Sequence, residues 1–173
     1  YIQSQFIKLI KKKYKFEKNY NNKKILNFVH KKIKKNQLND FRLKILNHIN
    51  KNENCRYSYF KISKPYLEAI VGNELVMQKK INLSIQLPED RDSLLAVHSD
   101  VWSGDSPFEV VVWLPLVNCF KTKSMYILPA NLSSQFNKKI SKKNYQNSEK
   151  VFQLIKKKIK WIKINYGQVL IFN

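Results

Sequence analysis

The spacing of apolar positions divides this chain into a helical first part and a strand-rich second part. In residues 2–50 the apolar side chains recur at helical spacing, and lysines occupy the opposite faces. Two such sets stand out: Ile25, Leu26, Val29 and Ile33, then Phe41, Ile45, Leu46 and Ile49. The pattern predicts amphipathic helices, with breaks at residues 19–22 and at Asn36.

The region from residue 51 to 80 is mixed. Pro65 predicts the start of a short helix over 66–71, because proline is favoured in the first helical turn. Gly72 then predicts its end. We therefore expect residues 1–80 to form a mostly helical N-terminal part.

The period changes to two at residue 81. Ile81, Leu83, Ile85 and Leu87 alternate with polar residues, which predicts a half-buried strand over 82–87. Further strands are predicted at 108–116, 125–128, 161–164 and 168–172, with a turn at 165–167. A surface helix is predicted over 147–159, with an apolar stripe of Val151, Leu154, Ile155 and Ile159.

Helices followed by several short strands favour an α+β or mainly β fold with a jelly-roll core. The chain has 173 residues, of which 43% are hydrophobic, and this suits one domain over 1–173. In this interpretation 1–80 is the helical part and 81–173 is a partial barrel.

Charge is high but uneven. The net charge is +21, and residues 1–50 alone carry +12, which suggests a nucleic-acid partner. Against this, only three of the 33 basic residues are arginines, whose forked geometry suits base and phosphate recognition, so we expect nucleic acid to be a poor candidate partner. Residues 81–137 carry a net −3, so packing and chemistry rather than lysine excess set the residue types there.

The cysteines and the hydropathy of the chain indicate the cellular compartment in which it works. Cys55 and Cys119 are too few and too far apart for a disulfide framework or a zinc site. Free buried thiols favour a reducing cytoplasm. No apolar run reaches the length of a membrane span, so we expect no membrane partner.

The candidate chemistry is the triplet His98-Ser99-Asp100, which follows an apolar run. Residues two apart on a strand point to the same face, so an imidazole and a carboxylate would share one space. Such a pair provides two of the ligands of a 2-His-1-carboxylate iron site. A plain hydrogen-bonded His–Asp pair is the alternative.

The flanking residues strengthen the metal interpretation. The block from His98 through Val-Trp-Ser-Gly-Asp-Ser-Pro-Phe-Glu to the strand ending at Leu116 resembles the Fe(II)- and 2-oxoglutarate-dependent oxygenases of the phytanoyl-CoA dioxygenase type. It looks closest to those of sporadic bacterial carbohydrate-biosynthesis clusters. The resemblance covers roughly residues 81–129 and resumes at 166–172.

The resemblance implies a double-stranded β-helix with the metal at its mouth. His98 and Asp100 would be metal ligands and catalytic, Gln86, Asn82 and Trp113 would line the 2-oxoglutarate site, and Trp102 would contact substrate. The substrate would be a small molecule, namely a sugar, nucleotide-sugar or glycan precursor, oxidised with O2. For Gln86, an ordinary outward polar position is the alternative; for Trp113 it is core packing, and for Trp102 a loop anchor.

One departure from the family is large. The distal histidine of the family follows a strand like 166–172, but no histidine follows Asp100 in this sequence. His30 and His48 lie in lysine-rich helical segments and are not candidates. We therefore expect a sequence truncated at both ends, lacking the last strands and inactive as it stands.

Two other functions stay open. A non-catalytic jelly-roll fragment or pseudoenzyme would also lack the third ligand. A basic nucleic-acid-binding protein would use the aromatic side chains interleaved with the N-terminal lysines. These are Phe6, Tyr14, Phe16, Tyr20 and Phe28.

Overall fold

A computed structural model describes residues 1–90, 95–139 and 147–173. The chain divides into two compact units, Tyr1–Ser93 and Leu94–Asn173. The fold class is α+β, with helices dominating and only short strands. Within the described ranges, no helix is both long enough and apolar enough to cross a membrane.

The first unit is helical, as the apolar spacing predicts. Its helices are α1 (Ile2–Lys13), α2 (Asn22–Phe28), α3 (Leu38–Lys51) and α4 (Glu53–Val71). Two single 3-10 turns, Val29–Lys31 and Lys35–Gln37, connect α2 to α3. Six of the eight residues of the two predicted stripes are buried, and Leu26 and Leu46 are half-buried. The buried apolar side chains of this unit are Phe6, Ile7 and Ile10 of α1, Ile25, Val29, Ile33, Phe41, Ile45 and Ile49 of the stripes, and Cys55 of α4.

The predicted break at 19–22 is confirmed, and its chemistry is a helix cap. The Asn21 side chain accepts a hydrogen bond of 2.9 Å from the backbone N–H of Lys24, which satisfies a free donor of the first turn of α2. Asn52 does the same for Cys55 at the start of α4.

The expectation that Pro65 opens a helix is wrong. Pro65 lies inside α4, which begins at Glu53 because the Asn52 cap starts it twelve residues earlier. Proline removes one backbone hydrogen bond there, and the helix nevertheless continues for six more residues, to Val71. The predicted end is confirmed: Gly72 has a φ of 90° and donates its N–H to Glu68 at 3.1 Å.

The strand predicted over 82–87 is also wrong. Residues 81–87 keep the alternation, with the apolar positions half-buried and the polar ones exposed, but they form no ladder. The side chain of Asn50 takes the place of a partner strand at Ile81: its Oδ1 accepts the Ile81 N–H at 2.7 Å, and its Nδ2 donates to the Ile81 carbonyl at 3.0 Å. The alternation therefore reports which side faces the core, not a hydrogen-bonded sheet.

The second unit contains the strands. These are β1 (Val111–Trp113), β2 (Tyr126–Ile127), β3 (Lys160–Trp161) and β4 (Leu170–Phe172), with helices α5 (Ala130–Lys139) and α6 (Ser148–Ile155) between β2 and β3. The predicted strands at 108–116, 125–128 and 168–172 each contain one of these in shorter form, and the one predicted at 161–164 overlaps β3 only at Trp161. The turn at 165–167 is confirmed, with Gly167 at a φ of 94°.

The strands pair as one interrupted antiparallel ribbon. β1 pairs with β4 with Trp113 opposite Leu170, and Cys119 pairs with Ile164 six residues further along both strands, in the same register. β2 then pairs with β3, with Tyr126 opposite Trp161. The register shifts by four residues between these two pairings, and the 3-10 turn Lys121–Lys123 lies in the longer segment.

The core of this unit lies between the ribbon and α6. Cys119 and Ile164 of the ribbon and Val151 and Ile155 of α6 are buried. Leu154 of the predicted stripe is 62% exposed, because α6 is short and presents only the Val151–Ile155 edge inward. In the described part of the chain the strands form two two-stranded sheets and no closed barrel.

Candidate metal site

The His98-Ser99-Asp100 triplet lies at the entrance of a tight turn, not on a strand. Ser99 has an extended backbone and Asp100 begins a 3-10 turn, Asp100–Ser103. The turn closes through hydrogen bonds from the N–H of Trp102 to the Ser99 carbonyl and from Asp105 to the Asp100 carbonyl. Gly104 ends it with a φ of 97°, a conformation that suits glycine.

The structure brings the two predicted side chains together. His98 Nε2 lies 3.4 Å from Asp100 Oδ1. Both side chains remain accessible, at 49% and 42% exposure. Ser99 between them is extended, so the two side chains share one side of a locally extended segment, although no strand forms there.

The other ring nitrogen of His98 determines its tautomer. Nδ1 lies 2.6 Å from the backbone carbonyl of Ala96. A carbonyl oxygen can only accept, so Nδ1 carries the proton and donates it. In the neutral ring the lone pair is then on Nε2, the atom that faces Asp100.

Two acceptor atoms at this distance repel each other unless a proton or a cation lies between them. Either Nε2 is protonated and the pair is an imidazolium–carboxylate ion pair, or a cation is shared by the two lone pairs. These are the two alternatives that the sequence leaves open. The geometry is compatible with each, and the accessible position leaves room for a cation and further ligands.

The remaining predicted residues fall into two groups. Trp102 lies in the turn itself, half-buried, two residues after Asp100. Trp113 is half-buried on β1, opposite Leu170. Gln86 and Asn82 belong to the first unit, where both side chains are exposed positions of the alternating segment.

The described residues hold no set of three or more histidine, cysteine or acidic side chains that could bind a metal together. His98 and Asp100 are thus a two-donor arrangement. Cys55 and Cys119 are free and buried, and burial raises the pKa of each thiol, so both stay protonated near neutral pH.

Two contacts near the site had no sequence signal. The Ala96 carbonyl orients His98 through a backbone atom, which any residue would provide. The Asn173 side chain donates to the carbonyls of Pro107 and Glu109 at 3.0 and 2.8 Å and connects the end of β4 to the segment that follows the motif turn.

No protein-family model, no curated protein and no solved structure matches this chain. The chemistry of His98 and Asp100 therefore carries the functional argument.

Proposed function

We propose that this chain belongs to an Fe(II)- and 2-oxoglutarate-dependent oxygenase, in which His98 and Asp100 are two of the iron ligands. The observation that carries the proposal is the 3.4 Å approach of His98 Nε2 to Asp100 Oδ1 with Nδ1 already occupied by the Ala96 carbonyl. The motif resemblance supplies the reaction class.

The donor set fits a divalent metal. A neutral imidazole and a carboxylate are ligands of the non-heme iron oxygenases. Two ligand atoms that are each about 2.1 Å from one ion lie about 3 to 3.4 Å apart, depending on the bond angle. An Nδ1–H bonded to a backbone carbonyl is also the common outer contact of metal-binding histidines, since it fixes the ring orientation.

The third protein ligand of the family is a histidine that follows a strand like β4. The bonds from Asn173 to Pro107 and Glu109 keep the end of β4 beside the chain segment that leaves the motif turn. By resemblance, the end of β4 corresponds to the place of that histidine in the family. The β1–β4 pairing supports a partial double-stranded β-helix as the parent fold.

The cosubstrate and substrate residues complete the proposal. Gln86 and Asn82 would bind 2-oxoglutarate through their amides, and Trp113 would line its site. Trp102, in the turn that carries Asp100, would provide a stacking face for a sugar ring. With Fe(II) and 2-oxoglutarate bound, such a centre uses O2 to hydroxylate a C–H bond and releases succinate and carbon dioxide.

The proposed substrate is a carbohydrate, nucleotide-sugar or glycan precursor, and the proposed compartment is the cytoplasm. Burial of Cys55 and Cys119 as free thiols is compatible with a reducing environment. The role of the chain's own residues is to bind and orient the metal and cosubstrate and to present the substrate beside them.

Anaerobic addition of Fe(II) and 2-oxoglutarate tests this function without requiring turnover. Chelation of Fe(II) by 2-oxoglutarate produces a visible charge-transfer absorption, which we expect with the wild-type chain. We expect His98→Gln and Asp100→Asn to abolish it. The matched control His48→Gln, at an exposed position of α3, should retain it.

The absence of absorption in the wild-type chain, or equal absorption in His98→Gln, would contradict the proposal. The non-catalytic fragment or pseudoenzyme would then be the remaining interpretation of the motif. Circular dichroism of each variant separates loss of the site from loss of the fold.

A further inference from the structure

The first unit carries an exposed surface in which lysines and aromatic rings alternate. We call it the lysine–aromatic surface and define it by eight residues of the segment 11–31. They are Lys11, Lys15, Phe16, Lys18, Tyr20, Lys24, Phe28 and Lys31. We infer that it binds single-stranded nucleic acid, independently of the proposed oxygenase site.

The aromatic rings form a continuous row. The ring centroids of Phe16 and Tyr20 are 6.1 Å apart, and those of Tyr20 and Phe28 are 6.2 Å apart. Phe28 is 36% exposed, and Phe16 and Tyr20 are half-buried. A row of partly exposed rings is unusual for an ordinary core and offers successive stacking positions for bases.

The lysines are placed over and beside this row. Lys24 Nζ lies 5.8 Å from the centroid of the Tyr20 ring, and Lys31 Nζ lies 4.9 Å from that of Phe28. The five lysines of the surface are exposed, and among the described residues none of them forms a salt bridge with a carboxylate. Their charge is therefore available to an anionic ligand.

A cleft lies at one end of the surface. It has a volume of about 370 Å³, and its lining includes three lysines, two aromatic rings, one aliphatic side chain and one carboxylate: Lys11, Lys15, Lys18, Phe16, Tyr20, Ile25 and Glu17. Tyr14 also lines it, and the Tyr14 hydroxyl is buried without a hydrogen-bond partner in the described structure.

The excess of lysine around this surface favours a polyanionic ligand. Residues 1–39 contain twelve lysines and a single acidic residue, Glu17. Lysine suits phosphate contacts that carry no sequence information, so the lack of arginine argues against base-specific readout and not against backbone binding. The aromatic row then favours a single strand, because its unpaired bases can stack on the rings. An acidic protein has no bases, and the bases of a duplex are already stacked on one another.

The test uses the full chain and a labelled oligonucleotide of fifteen thymidines, with fluorescence anisotropy as the readout. If the five lysines contact phosphates, affinity should fall about 100-fold between 50 and 200 mM salt. Tyr20→Leu should weaken binding about 10-fold through loss of stacking. A duplex of the same length should bind more weakly and should not respond to Tyr20→Leu.

The chain offers a matched control pair. Lys61 lies over the Tyr57 ring on α4 at 6.0 Å, outside the lysine–aromatic surface. Tyr57→Leu and Lys61→Gln should leave binding unchanged. Lys24→Gln should lower the steepness of the salt dependence by about 0.7, the contribution of one phosphate contact.

Several results would overturn the inference. These are no binding of the oligonucleotide, equal losses in Tyr57→Leu and Tyr20→Leu, or binding to phosphatidylglycerol vesicles with none to the oligonucleotide. If circular dichroism shows that Tyr20→Leu does not fold, the salt dependence of binding is compared between Lys24→Gln and Lys61→Gln, because both positions are exposed. An equal salt dependence in these two variants would overturn the inference.

Discussion

His98 Nε2 and Asp100 Oδ1 face each other at 3.4 Å, on either side of the extended Ser99 and just before a tight turn that begins at Asp100. Because Nδ1 of His98 is bonded to the Ala96 carbonyl, the nitrogen that faces the carboxylate is the one with the lone pair in the neutral ring. The two side chains therefore form an ion pair only with a proton on Nε2. Without that proton, both face each other with lone pairs, which a cation could accept. This relationship underlies the proposed iron site.

The hydrogen bonds of Asn50 provide the first prediction. Asn50→Ala removes both side-chain bonds to Ile81, which connect α3 to the alternating segment 31 residues away. We expect a loss of about 1 to 2 kcal/mol in the free energy of unfolding, measured by urea denaturation. Asn27→Ala is the control, because the Asn27 amide donates within its own helix to Lys23. Equal losses in the two variants would show that the contact with Ile81 is not stabilising.

The inward edge of α6 provides the second prediction. Val151 is fully buried, whereas Leu154 on the same helix is 62% exposed. Val151→Ala should lower the free energy of unfolding by about 2 to 3 kcal/mol, since it removes two buried methyl groups and leaves a cavity. Leu154→Ala should change it by less than about 0.5 kcal/mol. The reverse order would mean that Leu154, and not Val151, faces the core.

These two positions also show how far sequence pattern reaches. The apolar stripes of residues 1–50 identified the buried positions Ile25, Val29 and Ile33, although Leu26 of the same stripe is half-buried. The stripe of α6 is only two turns long, so the pattern could not decide between Leu154 and its neighbours.

Other features depend on partners that the sequence does not identify. Alternation at 81–87 predicted which side faces the core, but the hydrogen-bond partner of Ile81 is a side chain, Asn50, and not a strand. Pro65 on its own predicts a helix start because proline favours the first turn, whereas α4 starts at the Asn52 cap and runs through Pro65. At the candidate site the pairing of His98 with Asp100 was predictable, while the tautomer was not, since a backbone carbonyl fixes it.

The buried thiols provide the third prediction. Burial raises the pKa of Cys55 and of Cys119 above the ordinary value of 9.0. A raised pKa in the folded state means that the contribution to stability is complete below pH 9 and is lost as the pH rises through the folded values. Unfolding in urea should therefore be easier at pH 10 than at pH 8.

A double variant isolates the thiols from other groups that titrate in alkali. In Cys55→Ala/Cys119→Ala the fall in the free energy of unfolding from pH 8 to pH 10 should be smaller than in the wild-type chain. An identical fall in both proteins would assign the alkaline sensitivity elsewhere.

The proposed iron site is tested most directly by anaerobic calorimetric titration of the chain with Fe(II) alone. We predict one binding event in the wild-type chain, weakened more than 10-fold by His98→Gln and by Asp100→Asn and unchanged by His48→Gln. A wild-type chain that binds no Fe(II), or a His98→Gln chain that binds it equally well, would show that His98 and Asp100 are an ion pair and not a metal site.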